Sequence, residues 1–516
     1  MDLFIKFAML IVFFAVMVGI GLYCRRHSTD VNGFVLGGRS VGPWLTAFAY
    51  GTSYFSAVVF VGYAGQFGWK YGIAATWAGI GNALLGSLLA WAVLGRRTRV
   101  ITQHLYSATM PQFFQARFHS EALKLAASAI IFIFLIPYTA SLYNGLSRLF
   151  GMAFNIDYSI CVIVMAVLTG IYVIAGGYMA TAINDFIQGI IMIVGIIAVI
   201  AAVLGSQGGF LAALDKLGQV YDPAVSTTPG VFASFFGPDP INLLGVVILT
   251  SLGTWGLPQM VQKFYAIKNE KSINKGMIIS TLFAAVVAGG CYFLGGFGRL
   301  YSDQIDIAAN GYDSVVPTML SGLPTILIAI VVILVLSASM STLSSLVLTS
   351  SSTLTLDFIK GKLDKNMSEK KQLLIMRLLI VLFIAISVVL AIVQYKSSVT
   401  FIAQLMGVSW GALAGAFLAP FLYGLYWKKT SKASVWVCFI FSTVVMLANT
   451  VARSYFPAIL QSPINAGAFC MIAGLVIVPV VSLFTKAPPK EHLNYVFSCY
   501  DQTVEVKVTD SIGEEK

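Results

Sequence analysis

The sequence predicts an all-α polytopic membrane protein, and three observations carry that expectation. Of its 516 residues, 58% are hydrophobic and only 10% charged, whereas soluble domains carry about 25% charged residues. Mean hydropathy is +0.86. Apolar runs of about 20 residues, each long enough to cross a ~30 Å hydrocarbon core as a helix, recur from one end of the chain to the other. Three-quarters of the basic residues fall in alternate connections between those runs.

In order, the expected spans are 3–23, 43–65, 73–95, 122–148, 157–177, 182–204, 240–262, 276–298, 317–352, 374–395, 399–426, 433–453 and 463–485, thirteen in all. The first has only Lys6 as an early base and no small-residue cleavage site before Cys24-Arg25-Arg26, so it reads as a retained helix rather than a secretory signal. With the N-terminus outside, inside-facing segments hold 24 of the 32 bases, among them Arg25, Arg39, Arg96, Arg99, Arg117, Lys263, Lys268, Lys360 and Lys428. The positive-inside rule then sets the N-terminus out and the C-terminus in. The net charge of +11 is this membrane signature, and no nucleic-acid partner is implied.

Cys24, Cys161, Cys291, Cys438, Cys470 and Cys499 are scattered, with no Cys-x-x-Cys pair, so neither a disulfide framework nor a thiolate metal site is expected. The four histidines all fall in inside-facing segments and suggest no buried proton relay. The longest connections, about 205–239 and 299–316, lie outside. The tail after Pro488-Pro489 is polar and too short for an enzymatic or signalling domain.

Few polar residues interrupt the apolar runs. Asp185, in Asn184-Asp185-Phe186-Ile187-Gln188-Gly189, is the one acid clearly inside a run. A carboxylate at that depth normally faces a cation, a partner or a water-filled cavity, although a helix cap near the inner end would also account for it. The stretch Ser337-Ala338-Ser339-Met340-Ser341-Thr342-Leu343-Ser344-Ser345 places hydroxyls at i, i+4 spacing on one helix face. Such oxygens suit a hard monovalent cation, and small hydroxyl residues also serve as packing contacts between membrane helices. Two spans are interrupted by breakers: Ala49-Tyr50-Gly51-Thr52-Ser53-Tyr54-Phe55-Ser56 in one, Gly253-Thr254-Trp255-Gly256-Leu257-Pro258 in the other. They open the first and second groups of five spans, and matched discontinuous helices point to a midplane binding site between inverted repeats. Kinked packing helices are the alternative.

Taken together, Phe34 to Leu45 (FVLGGRSVGPWL), Gly176-Gly177, Asn184-Asp185-x-x-Gln188-Gly189, Gly256-Leu257-Pro258-Gln259 and Met340-Ser341-Thr342-Leu343 resemble the sodium:solute symporter family over about residues 1–485. Gly256-Leu257-Pro258, Gly298-Arg299 and Leu425-Tyr426-Trp427 lean toward its proline and pantothenate branch. The resemblance implies a LeuT-type five-plus-five inverted repeat working by alternating access. Its parts would be a first helix and linker (1–42), a first repeat (43–204), an extracellular loop (205–239), a second repeat (240–426), two further helices (427–485) and a cytoplasmic tail (486–516). It implies sodium as coupling ion, a small organic solute as cargo, and a plasma-membrane location in a bacterium, with no catalysis.

Carried over by residue, the shared sodium site would use the carbonyls of Thr52, Phe55 and Ala338 and the hydroxyls of Ser341 and Thr342. A second sodium site would pair Asp185 with Ser341, Ser344 and Ser345. Ser56 and Tyr138 match solute-contacting positions of proline-type members, and Tyr54, Val59, Thr139, Thr254 and Trp255 would border the same cavity. Proline-type members have Asp at Tyr54 and Trp near Thr250, departures that count against proline itself, and sugar-type members have an amide near Val59, which counts against a sugar. A monocarboxylate, a vitamin such as pantothenate or an amino acid such as proline is therefore the expected solute class. A proton-coupled or sodium-independent carrier of the same fold is the competing class, and a membrane sensor a remote one.

Overall fold

The computed structural model describes residues 2–25, 29–53, 55–154, 156–396 and 402–500. Every regular element among them is helical, and one isolated backbone bridge joins Val41 to Ile267. Among the described residues ten helices are long and apolar enough to cross a membrane, and a bent pair, Pro240–Gly256 with Pro258–Ala266 at 45°, makes an eleventh. Two of the ten are double-length. The helix Tyr158–Ser206 has 49 residues, about 74 Å at the usual rise, and it turns at Gly177 (φ 55°). The run Val58–His104 turns in the same way at Gly72 (φ 61°). Both turns occupy the left-handed region that glycine enters without steric cost. Counting the arms separately recovers the thirteen expected segments.

We label the elements α1 (Asp2–Cys24), α2 (Pro43–Thr52), α3 (58–71), α4 (72–104), α5 (Glu121–Phe154), α6 (158–176), α7 (178–206), α8 (Pro240–Gly256), α9 (Pro258–Ala266), α10 (Glu270–Gly295), α11 (Thr325–Thr353), α12 (Glu369–Lys396), α13 (Ile402–Tyr426), α14 (Lys432–Val451) and α15 (Pro463–Phe484). The expected span 317–352 starts later than its hydropathy suggests. Residues Val315–Ser321 form a separate short helix, and Pro324 stands just before the first turn of α11, where a missing N–H costs nothing. Pro258 opens α9 in the same way, which leaves a bend rather than a stop.

Large apolar side chains such as Ile160, Val194, Leu282 and Val389 point outward along these helices, a surface that only lipid can cover. Between helices, packing relies on small residues, because apolar lipid gives helices no hydrophobic reason to associate. A Cβ on Gly68 of α3 would lie 1.9 Å from the Gly295 carbonyl of α10, and one on Gly295 would lie 2.1 Å from the Ala64 carbonyl. Gly411 and Gly467 bring α13 and α15 together, a Cβ on either lying 2.7–2.9 Å from the other's Cα. The amides of Asn184 and Gln188 hold α1 against α7. Asn184 Nδ2 donates to the Met17 carbonyl at 3.4 Å, and Gln188 Nε2 to Met17 Sδ at 3.2 Å.

The orientation is an inference from the bases, and it makes a direct prediction. A cysteine at exposed Thr227, in the long loop, will react with an impermeant thiol reagent added outside intact cells. One at exposed Asn366 will react only after permeabilisation, and the reverse pattern would invert the topology.

Candidate functional site

The first break meets α11 inside the bundle, and the second approaches α11 further along, near Thr349. Between α2 and α3 the helical ladder is interrupted at Ser53, Phe55 and Ser56, and α3 begins with a π-helical stretch, Val58–Tyr63. Helix α11 runs past this break. Thr342 Oγ1 donates within reach of the carbonyls of Thr52 (3.0 Å), Phe55 (3.1 Å) and Ala338 (3.1 Å). Ser341 Oγ lies 3.0 Å from the Thr52 carbonyl and 3.2 Å from that of Ala338. Five oxygens on two elements, all buried, therefore surround one point. Rotation of the two hydroxyl protons away from that point turns three carbonyls and two hydroxyl lone pairs inward, a neutral oxygen cage suited to a hard monovalent cation.

Asp185 stands nearby on α7, fully buried, with neither carboxylate oxygen accepting a hydrogen bond among the described residues. Its ionic partner is a lysine. Lys263 Nζ lies 4.0 Å from Asp185 Oδ2, donates to Ser345 Oγ at 3.1 Å and sits 5.0 Å from the Tyr178 ring centre. Ser345 Oγ also shares a 2.9 Å hydrogen bond with Ser53 Oγ beside the first break. The sequence reading of Lys263 as a base in an inside loop is thus corrected. Helix α9 continues beyond Pro258 and carries the side chain into the interior, where it is 2% exposed.

This changes the second cation site expected from Asp185, Ser341, Ser344 and Ser345. The Ser341 hydroxyl belongs to the five-oxygen cage, the Ser344 hydroxyl donates to its own helix at Ser341 O (2.8 Å), and Ser345 is engaged by Ser53 and Lys263. The four residues are neighbours, but they do not form an open oxygen cluster.

The residues expected around the solute divide in the same way. Ser56 Oγ accepts from Val58 N–H at 3.2 Å and so caps the start of α3, while Ala57 N–H donates to Ser339 Oγ at 3.4 Å. Val59 is buried one turn on. The Tyr138 ring meets Trp410 edge-to-face with centroids 5.9 Å apart. Its hydroxyl faces the Trp410 indole, and Tyr292 Oη faces Asn82 and Thr250, whereas among the described residues Tyr63 Oη and Gln66 Oε1 have no hydrogen-bond partner. Tyr63 lies close to both Tyr138 and Tyr292. The other three candidates turn away. Thr139 Oγ1 donates to Leu135 O, Thr254 Oγ1 to Gly86 O and Ser251 O, and Trp255 Nε1 to Leu85 O, so α4 takes the donors of the last two. Tyr54 lies outside the described residues.

Access differs on the two faces. On the face that carries the 205–239 loop, a cavity of about 960 Å³ reaches down to Gln66 and Phe67 on α3. Its rim is held by Arg299, which donates to the Trp69 carbonyl and pairs with Asp222 at 2.8 Å. That hydrogen bond holds the Asp222 carboxyl below its ordinary value. On the opposite face the gap between Thr109, Gln262 and Thr349 measures about 10 Å³, scarcely one water. Gly37, Gly38 and Arg39, all at positive φ, turn the chain so that the Arg39 guanidinium reaches the carbonyls of Thr102, Ser107 and Tyr265. Arg99 binds the carbonyls of Ile267 and Lys268 beside it. The large cavity opens on one face, and arginine–carbonyl bonds link the segments at the other.

A family model described as the sodium:solute symporter family matches residues 34–441. The chain belongs to that family. An osmoregulated proline transporter, OpuE, of Bacillus subtilis (strain 168) is 26% identical over 483 residues, covering 93% of this chain and 94% of the relative. A sodium/proline symporter of Staphylococcus aureus (strain JH9) is 30% identical over 437 residues, covering 83% and 82%. Among solved structures, a sodium-coupled sialic acid symporter in a substrate-bound, outward-open state superposes with a TM-score of 0.72 at 17% identity, over 94% of this chain and 99% of that one. Mhp1, a nucleobase-cation-symport-1 family transporter, follows at 0.51 and 13%, over 89% and 97%. The LeuT-type fold expected from the sequence is the fold of this symporter. Its activity is sodium-coupled transport of a small solute across a membrane, and sodium is the coupling ion.

Sequence reading missed Lys263, Ser53, Ser339, Tyr63, Gln66 and Trp410. For Lys263 a signal existed: Pro258 at a first helical turn predicts that a helix continues, and Lys263 stands more than a turn into it. Nothing in the chain's local pattern distinguishes Trp410 or Tyr63 from ordinary lipid-facing aromatics.

Proposed function

We propose that this symporter imports a small organic carboxylate into a bacterial cell across its plasma membrane. The five-oxygen cage of Thr52, Phe55, Ala338, Ser341 and Thr342 is its sodium site, and the solute sits beside Ser56, Val59 and Tyr138. The observation that carries this is a set of buried polar atoms on α3 and on α5 and α13, which pack against its start: Tyr63 Oη and Gln66 Oε1, unpartnered among the described residues, and the Tyr138 hydroxyl facing the Trp410 indole. Buried polar groups are normally paired, and unpaired ones call for a ligand or water. The start of α3 adds the positive end of a helix dipole, which favours a carboxylate. Sodium in the cage would bridge α11 to the first break and hold α3 in the arrangement that presents Ser56 and Val59 to the open face. Relatives named for proline support an amino acid as cargo, while the hydroxyls and indole at the site also suit pantothenate or a simple monocarboxylate.

The test is uptake into proteoliposomes of labelled proline, pantothenate and short monocarboxylates, with an inward sodium gradient and with potassium in its place. One of these acids will accumulate only with sodium, and its methyl ester will not. Equal transport of the ester would remove the carboxylate from the proposal. Tyr138→Phe, which deletes one buried hydroxyl, will raise the solute KM about tenfold, in line with ~1–1.5 kcal/mol for one hydrogen bond. The sodium concentration for half-maximal rate should stay within about twofold, since Tyr138 touches no cage oxygen.

A further inference from the structure

We propose that Lys263 is a tethered cation standing in place of a second sodium ion, so that this symporter binds one sodium per cycle. The inference rests on the sodium-symport reading above and deepens it. A cation site needs a net negative or neutral oxygen lining with free lone pairs. At Asp185 the only formal negative charge is already faced by the Lys263 ammonium at 4.0 Å. The one remaining hydroxyl of the expected set, Ser345, accepts from that ammonium at 3.1 Å. A sodium ion touching both Asp185 and Ser345 would therefore stand directly against a fixed like charge. The residues do not fit a second ion while the lysine is in place.

The lysine is built in rather than passing through. Its Nζ faces the Tyr178 ring at 5.0 Å, and its helix is locked at the far end by the Arg39 and Arg99 bonds to the carbonyls of Tyr265, Ile267 and Lys268. Because α9 carries Lys263, α7 carries Asp185 and α11 carries Ser345, the ammonium joins three elements at the point where a second sodium would join two. Ser53 extends the connection to the first break through its bond with Ser345. The chain thus keeps the structural effect of a cation at this position without carrying an ion there.

Equilibrium binding of radioactive sodium to the purified full-length protein in lipid nanodiscs tests this by counting ions. Wild type will bind one sodium per chain, and Thr342→Ala will lose it at the same concentration. Lys263→Gln, which frees Asp185 and Ser345, will bind two. The pair Asp185→Asn with Lys263→Gln removes both charges and will return the count to one, which guards against misfolding of the single variant through a stranded charge. Two ions in wild type, or one in a folded Lys263→Gln, would overturn the inference and leave the symport reading intact. No sodium in wild type would overturn that reading and the inference together.

Discussion

Replacing Thr342 with alanine is expected to raise the sodium concentration for half-maximal transport by about tenfold or more, with Ser341→Ala somewhat smaller and Ser351→Ala without effect. The ranking follows from the cage. Thr342 Oγ1 approaches three carbonyls, whereas Ser341 Oγ approaches two. The Ser351 hydroxyl, more than two turns further along α11, donates back to Leu348 O on its own helix at 3.2 Å. A tenfold change corresponds to about 1.4 kcal/mol, at the lower end of the ~1.5–3 kcal/mol assigned to a bond with a charged group. Initial uptake rates in proteoliposomes across a sodium titration, at saturating solute, provide the measurement. Normal sodium dependence in a well-expressed Thr342→Ala would remove this cage from the coupling mechanism.

The second large effect concerns how α3 is held. Gly68→Ala is expected to abolish most transport and to lower the melting temperature of the purified protein by several degrees. An added Cβ would meet the Gly295 carbonyl carbon and oxygen at 2.1 and 1.9 Å, and backbone atoms cannot turn aside as a flexible side chain can. Overpacking of this kind usually costs ~1–3 kcal/mol, and here the strain must be relieved by pushing α3 away from α10. That displaces Tyr63, Gln66 and the rim of the open cavity together. Gly151→Ala, where a Cβ meets nothing within 4 Å, is the control and should behave as wild type. A Gly68→Ala protein with normal stability and uptake would show that the α3–α10 contact is looser than its geometry.

Most of the fold was legible because lipid imposes it. Thirteen apolar runs and alternating bases suffice to place helices, and the glycine turns at Gly72 and Gly177 only decide whether neighbouring runs are drawn as one helix or two. The five-oxygen cage was legible for another reason: Ser341 and Thr342 share a helix, and Thr52 and Phe55 flank a break marked by glycine and hydroxyls. The environment of Asp185 was not. Which cation faces a buried acid depends on the rotation of α9 after Pro258, and a span drawn to end at residue 262 necessarily leaves Lys263 in water. The donors of Thr254 and Trp255 were illegible for a related reason. They lie on the broken helix, as solute residues should, but the helix turns them toward the carbonyls of Leu85 and Gly86, and periodicity alone carries no information about that rotation.

A lysine facing Asp185 also sets a ceiling on accumulation. One sodium entering with a zwitterion such as proline brings ~2.3 kcal/mol for each 100 mV of membrane potential, which supports an inside-to-outside ratio of about 50 before any sodium gradient is added, whereas with a monoanion it moves no net charge and only the sodium gradient drives uptake. A second sodium would square that factor. Binding two ions before each turnover, however, makes the rate fall with the square of sodium concentration when sodium is scarce, whereas a single-ion carrier slows only in proportion. A fixed ammonium between α7, α9 and α11 therefore suits a carrier that harvests a solute present in reasonable supply under variable salt, at the expense of scavenging the last traces of it.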